Sequence, residues 1–127
     1  EDSNELFYSG AYRPLFLIGN GEIVQTKASR CSIGGSQIKK IKEFETFTTT
    51  IEKGDTFYIF SDGITDQFGG PQNRKFSTSR LKSTLLEISN QSMFEQEIHM
   101  EQLMDNWLEG YDQIDDIILV GIRFNNI

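Results

Sequence analysis

The sequence holds a single cysteine, Cys31, so no disulfide can close within it, and a reducing compartment such as the cytoplasm is the simplest setting. It is short of positive charge: 12 Lys and Arg stand against 19 Asp and Glu, for a net charge of −7. That balance excludes nucleic-acid binding through a basic face, because neutralising phosphates requires clustered cations. No apolar run is long enough to span a bilayer, and residues 1–10 carry no signal-peptide pattern. The segment therefore reads as soluble, without membrane contact. Repeats and low-complexity stretches are also absent. What is present is 127 residues, enough for one domain but not two, with ten Phe, four Tyr and one Trp as large pieces of buriable surface. The acidic excess has two readings, a solvated surface or carboxylates held together by cations.

The first third has strand character. Leu6-Phe7-Tyr8, Pro14 to Ile18 and Ile23 to Thr26 are β-rich, and Asn20-Gly21 between the last two predicts a tight hairpin whose central residues need positive φ. A strand so close to Glu1 leaves no room for preceding structure and predicts that the chain begins mid-domain. Ser32 to Ser36 marks a loop, and Ile38 to Glu43 is a short basic connector. Alternation from Phe44 to Ile51 predicts another strand, Glu52 to Asp55 a turn, and Thr56-Phe57-Tyr58-Ile59-Phe60 a strand of the wholly buried kind.

After a loop over Phe68 to Asn73, two helices are expected. The first takes Ser77 as N-cap, with Phe76 and Leu81 as a hydrophobic staple. The second starts at the capping box Ser92-x-x-Glu95, buries a stripe of Met100, Leu103, Met104, Trp107, Leu108 and Tyr111, and stops at Gly110. The short link from Ser89 to Ser92 implies an antiparallel pair. The helical stripe is core rather than a cofactor box. Ile117 to Ile122 closes the chain as a strand. Grouped strands with paired helices between them predict a layered domain with antiparallel sheets.

Two acidic segments flank apolar strands. Asp62 stands where the strand Thr56–Phe60 runs out, and Asp115-Asp116 where the last strand begins. If these strands are antiparallel neighbours, the carboxylates meet at one sheet edge, where their mutual repulsion requires a proton or a cation. Oxygen-only ligands suit Mg²⁺ or Mn²⁺. Gly63 lets the backbone turn sharply beside Asp62. The plainer reading stands next to this one, since Asp is a common turn former and loop residue. Spacing alone leaves both open.

Four segments occur in an order that resembles the stage II sporulation protein E-like branch of the protein phosphatase 2C family. They are Ser9-Gly10-Ala11-Tyr12-Arg13-Pro14-Leu15, Ile33-Gly34-Gly35, the block Gly54 to Asp66, and Asp115-Asp116-Ile117-Ile118-Leu119-Val120. The resemblance spans nearly the whole chain. It implies an α+β fold, part of an α-β-β-α sandwich of two antiparallel sheets flanked by antiparallel helix pairs. It also implies hydrolysis of phosphoserine or phosphothreonine at a binuclear Mg²⁺ or Mn²⁺ site. The family's late Ser-Asp-Gly motif maps onto Ser61-Asp62-Gly63 and its final Asp-Asp motif onto Asp115-Asp116, which makes Asp62 and Asp115 the implied metal ligands. Asp116 then orients the neighbouring loop, and Asp66 supports the site from behind or serves as a turn or cap residue. The implied mechanism has no protein nucleophile: two cations acidify a water, and the hydroxide attacks phosphorus in line. Accordingly His99, among Glu95, Gln102 and Asn106, reads as a surface residue, and Cys31 as a small hydrophobe.

The family's first Asp-Gly motif lies upstream of the segment that begins at Gly10, and the nine residues before Gly10 do not carry it. Residues 1–127 are therefore expected to be the C-terminal half of the catalytic domain, inactive alone and prone to dimerise through an apolar sheet face that includes Phe7, Phe16, Phe57 and Ile59. An upstream sensory domain and a phosphorylated protein substrate, such as an anti-sigma-factor antagonist, are further implications of the resemblance. Of the rivals, a haloacid dehalogenase-like phosphatase fails because position 60 is Phe where a nucleophilic Asp is needed. A non-catalytic phosphatase-like interaction module and a plain domain without a site remain as alternatives.

Overall fold

The computed structural model describes residues 4–35 and 43–126. In chain order the elements are β1 (Glu5–Tyr8), β2 (Phe16–Gly19), β3 (Glu22–Gln25), β4 (Phe47–Thr50), β5 (Thr56–Phe60), α1 (Asp62–Asp66), β6 (Phe68–Gly69), β7 (Arg74–Lys75), α2 (Thr78–Glu87), α3 (Met93–Leu108) and β8 (Leu119–Arg123). The basic connector expected over residues 38–43 lies, apart from Glu43, outside the described residues.

A four-stranded antiparallel sheet in the order β3-β2-β5-β8 forms the centre, and β1-β4 and β6-β7 are separate antiparallel pairs. The β2–β3 hairpin turns at Asn20 and Gly21 with φ of 51° and 75°, the left-handed pair that matches strand twist. In β5, Thr56, Tyr58 and Phe60 are buried while Phe57 is half-buried and Ile59 exposed. The expectation of a wholly buried strand is thus corrected to a strand with one packed face. The helices cover only that face among the described residues, so the period-two alternation of a half-covered sheet applies.

The core lies between this face and the helices. Phe16, Ile18, Tyr58 and Phe60 from the sheet meet Leu81, Leu85 and Ile88 of the α2 region and Met100, Met104 and Trp107 of α3. Phe16 packs on Phe60 at 4.8 Å between ring centroids, and Phe76 meets Trp107 edge-on at 5.4 Å. Arg80, near the start of α2, stacks on Trp107 at the end of α3, while Gln96 of α3 donates to the carbonyl of Ser89 past the end of α2. The two helices therefore run antiparallel. The Tyr58 hydroxyl donates to Gln96 at 2.6 Å, and burial pushes its pKa up.

The helix boundaries follow local chemistry. Ser77 accepts from the Arg80 amide, and Ser92 and Glu95 complete a reciprocal capping box. The expected loop over Phe68 to Asn73 instead contains β6 and the turn into β7, with Gly70 and Asn73 at positive φ. The five-residue α1 was not expected either. At its start Ser61 has an extended N-cap backbone, but its side chain makes no cap to the helix.

Candidate functional site

The antiparallel register Phe60↔Leu119 brings the end of β5 beside the start of β8. Beyond that last rung the pairing continues through the backbone and the side chain of Ser61. The Ser61 amide donates to the Ile118 carbonyl at 3.0 Å, the Ser61 hydroxyl donates to the Asp116 carbonyl at 2.7 Å, and the Ile118 amide donates to the Ser61 hydroxyl oxygen at 3.0 Å. The Ser61 side chain makes no cap to α1 and joins the two acidic segments instead. Gly63 is buried, and a Cβ there would fall 2.1 Å from the Asp116 carbonyl oxygen. Only a glycine lets the two segments approach this closely, which is the physical content of Gly after Asp62.

Asp62 is the first residue of α1 and half-buried. Its carboxylate is 2.5 Å from the Arg13 guanidinium. Asp115 and Asp116 are exposed, and the Asp115 carboxylate accepts from the Asp116 amide at 2.8 Å, which fixes the turn into β8. Asp66 points elsewhere: it is exposed and paired with Lys75 at 3.0 Å across the β6–β7 hairpin. The structure thus places the segments of Asp62, Gly63, Asp115 and Asp116 together and leaves Asp66 apart.

Three residues that build this edge carry no role in the sequence reading. Ser61 is one. Gln67 is another, fully buried directly after α1. Its amide donates to the Phe68 and Asp112 carbonyls, both at 2.9 Å, and its oxygen accepts from the Ile114 amide at 3.3 Å. Gln67 thereby pins the segment that leads into Asp115, and Gln113 adds a bond from its side-chain amide to the Asp115 carbonyl at 2.9 Å. A buried glutamine has no periodic signature, so only the fold reveals it. Arg13 is the third; the signal available was its place inside one of the four matching segments.

Hard carboxylate oxygens at a sheet edge, with a glycine where a side chain would intrude, fit a divalent cation of the Mg²⁺ or Mn²⁺ kind. The fit is partial, because no group of three or more candidate ligands occurs among the described residues. The carboxylates of Asp62 and Asp115 at this edge are therefore not a closed cage among the described residues.

Comparison with known proteins gives the same architecture. The family model described as stage II sporulation protein E (SpoIIE) matches residues 1–125. The SiaA-PP2C domain of Pseudomonas aeruginosa superposes with a TM-score of 0.86 at 26% identity, over 97% of this chain and 48% of that one. The SpoIIE phosphatase domain from Bacillus subtilis, in a Mn-presoaked form, gives 0.60 at 19% identity over 97% and 51%. The Mycobacterium tuberculosis serine/threonine phosphatase PstP/Ppp gives 0.58 at 18% over 97% and 56%. The chain thus spans about half the length of each of these solved structures. No protein with a curated description matches it.

Proposed function

Because the chain belongs to the stage II sporulation protein E family, we propose that it forms the C-terminal half of a phosphatase that hydrolyses phosphoserine or phosphothreonine in a protein. Asp62 and Asp115 are its contribution to a Mn²⁺ or Mg²⁺ centre. One observation carries this reading. The Asp62 and Asp115-Asp116 segments converge at one strand edge, with Gly63 packed under the Asp116 carbonyl. Ser61 and Gln67 hold that convergence, the Asp115 carboxylate fixes the turn by accepting from the Asp116 amide, and Asp66 stays in its pair with Lys75. Divalent cations bound there would supply stabilisation of phosphate charge and a water acidic enough to attack at neutral pH. The substrate this entails is a phosphorylated signalling protein in the cytoplasm, such as an anti-sigma-factor antagonist, with a sensory domain upstream. No helix among the described residues is long and apolar enough to cross a membrane.

The test uses the full-length protein. Asp62→Asn and Asp115→Asn should each weaken Mn²⁺ binding in calorimetry and lower phosphoserine hydrolysis by roughly 100-fold or more, because the cation supplies most of the charge stabilisation. Asp66→Asn should leave both nearly unchanged. Unaltered Mn²⁺ affinity and turnover in the first two variants would refute the assignment. A full-length protein that binds a partner yet hydrolyses nothing with Mn²⁺ would mark a non-catalytic module instead.

A further inference from the structure

Arg13 sits on the segment between β1 and β2, far from Asp62 in sequence, yet its guanidinium lies against the Asp62 carboxylate with both side chains nearly half exposed, 43% and 44%. An exposed ion pair of this kind contributes little to stability. The backbone that presents Arg13 is nevertheless unusually constrained. The hydroxyl of the partly buried Tyr8 donates to the Arg13 carbonyl at 2.8 Å. A Cβ at Gly10 would collide with that same carbonyl oxygen, at 2.1 Å. Tyr12 adopts φ of 59°, a left-handed conformation that a bulky side chain rarely takes. Its amide donates to the Ser29 carbonyl and the Ser29 amide donates to the Gly10 carbonyl, both at 2.8 Å. Pro14 follows and restricts the backbone of Arg13 in turn. A strained, cross-tied platform that presents one half-exposed cation is out of proportion to a surface ion pair.

The charge around it indicates what the cation is for. The segments that carry Asp62, Asp115 and Asp116 meet at one edge of a chain whose net charge is −7, a poor surface for an anion. Among the other described cations around the core, Lys75 pairs with Asp66, Arg80 lies over Trp107, Lys82 lies over the Phe16 ring, and Arg123 donates to the Ser89 and Gln91 carbonyls. Arg13 meets Asp62 through its Nη2. A guanidinium carries five donors in a planar fork that matches phosphate oxygens, so donors remain for a second acceptor. We propose that Arg13 is a phosphate-binding residue of this site, held beside Asp62 so that its free donors take oxygens of the phosphoryl group presented for hydrolysis. This rests on the reading of the edge as a phosphatase centre and adds to it a recognition element on the chain itself.

The probe is inorganic phosphate, titrated by calorimetry into the full-length protein at a fixed Mn²⁺ concentration, with Mn²⁺ affinity measured separately. Arg13→Gln removes the charge and the fork; Arg13→Lys keeps the charge alone. Losing a charged hydrogen-bonding partner should weaken phosphate binding by roughly 10- to 100-fold in Arg13→Gln and by less in Arg13→Lys. Mn²⁺ affinity should hold or tighten, since a competing cation has left Asp62. Tyr8→Phe, which frees the Arg13 carbonyl without touching the guanidinium, should weaken phosphate binding severalfold. Phosphate affinity in Arg13→Gln within twofold of the parent overturns the proposal, as does a loss matched by an equal loss of Mn²⁺ affinity, which would mean that Arg13 only holds Asp62. The two readings separate cleanly. Hydrolysis that depends on Asp62 with phosphate affinity indifferent to Arg13 removes this inference alone. Arg13-dependent phosphate binding with Mn²⁺ affinity indifferent to Asp62 and Asp115 removes the metal assignment alone.

Discussion

A methyl group at position 63 would sit 2.1 Å from the Asp116 carbonyl oxygen, closer than any van der Waals contact allows, and the obstacle is backbone that cannot swing aside. Gly63→Ala should therefore push the two acidic segments apart. Overpacking of this sort costs about 1–3 kcal/mol, and in the full-length protein it should lower Mn²⁺-dependent turnover by more than the melting temperature alone accounts for. Gln67 carries a different kind of obligation. It is fully buried and satisfies the Asp112 carbonyl and the Ile114 amide on the segment leading to Asp115. Gln67→Ala leaves buried polar backbone without partners, at a cost of about 1–3 kcal/mol. Urea unfolding should show that loss, with Mn²⁺ affinity falling as the segment loosens. A variant as stable as the parent would mean that water replaces the amide.

At the scale of elements, α3 depends on its first turn. The Glu95 carboxylate accepts from both the amide and the hydroxyl of Ser92 at 2.8 Å, while the Ser92 hydroxyl oxygen accepts from the Glu95 amide at 3.2 Å. Ser92→Ala removes half of this box and should cost about 1 kcal/mol. The hydrogen bonds from Ser92 hold the Glu95 pKa below its ordinary 4.5. A carboxyl whose folded pKa is depressed stabilises the fold above its unfolded pKa, and the contribution disappears as pH falls through the folded value. The stability gap between the parent and Glu95→Gln should thus be constant from neutral pH down to about the ordinary carboxyl range, then close below it. Thermal melts along an acid series check this, and a gap that persists at the acid end would show that the charge contributes nothing. The β6–β7 hairpin shows the same dependence on one contact: the Gly70 amide donates to the Trp107 carbonyl at 2.9 Å, and a Cβ at Gly69 would lie 2.0 Å from that oxygen.

For the whole molecule, the outer face of the central sheet decides behaviour. Val24 lies opposite Leu17, Leu17 opposite Phe57, Phe57 opposite Ile122, and Ile59 opposite Val120, so one apolar face crosses all four strands, with Leu17 itself buried. Val24, Ile59, Val120 and Ile122 are exposed. Phe16, expected on that face, is instead fully buried on the opposite one, because its register partner is the inward-facing Tyr58. Phe7 is exposed on the separate β1–β4 pair. Apolar patches of this continuity are uncommon on monomers, and burying them contributes about 25 cal/mol per Å². The 127-residue chain on its own should self-associate. Light scattering over a concentration series should show dimers or larger species, and Val120→Lys with Ile122→Lys should shift it to monomer without loss of helical signal. A compact parent monomer at low micromolar concentration would refute this. The same chain alone should hydrolyse phosphoserine peptides barely if at all, since no cluster of three candidate ligands exists among its described residues.

The elements whose causes are local were legible in the sequence. Asn20-Gly21 turns, Ser77 and Ser92 cap, Gly110 stops a helix, and alternation marks the strands, because each depends on neighbours within a few residues. The position of Asp62 just past β5 was legible in the same way, and four motifs in order indicated the family; β8 begins at Leu119, two residues later than expected, so Asp115 lies on the turn before it. Which face of β5 is covered, that Phe16 points inward, and that Asp66 turns to Lys75 depended on pairing register and on which helix lies where. The roles of Ser61, Gln67 and Arg13 belong to the same class. Each acts on a residue dozens of positions away, Ser61 and Gln67 through hydrogen bonds and Arg13 through an ion pair, and no local propensity encodes a partner at that distance. Burial and contact across the chain are properties of the folded arrangement, so tertiary structure alone decided them.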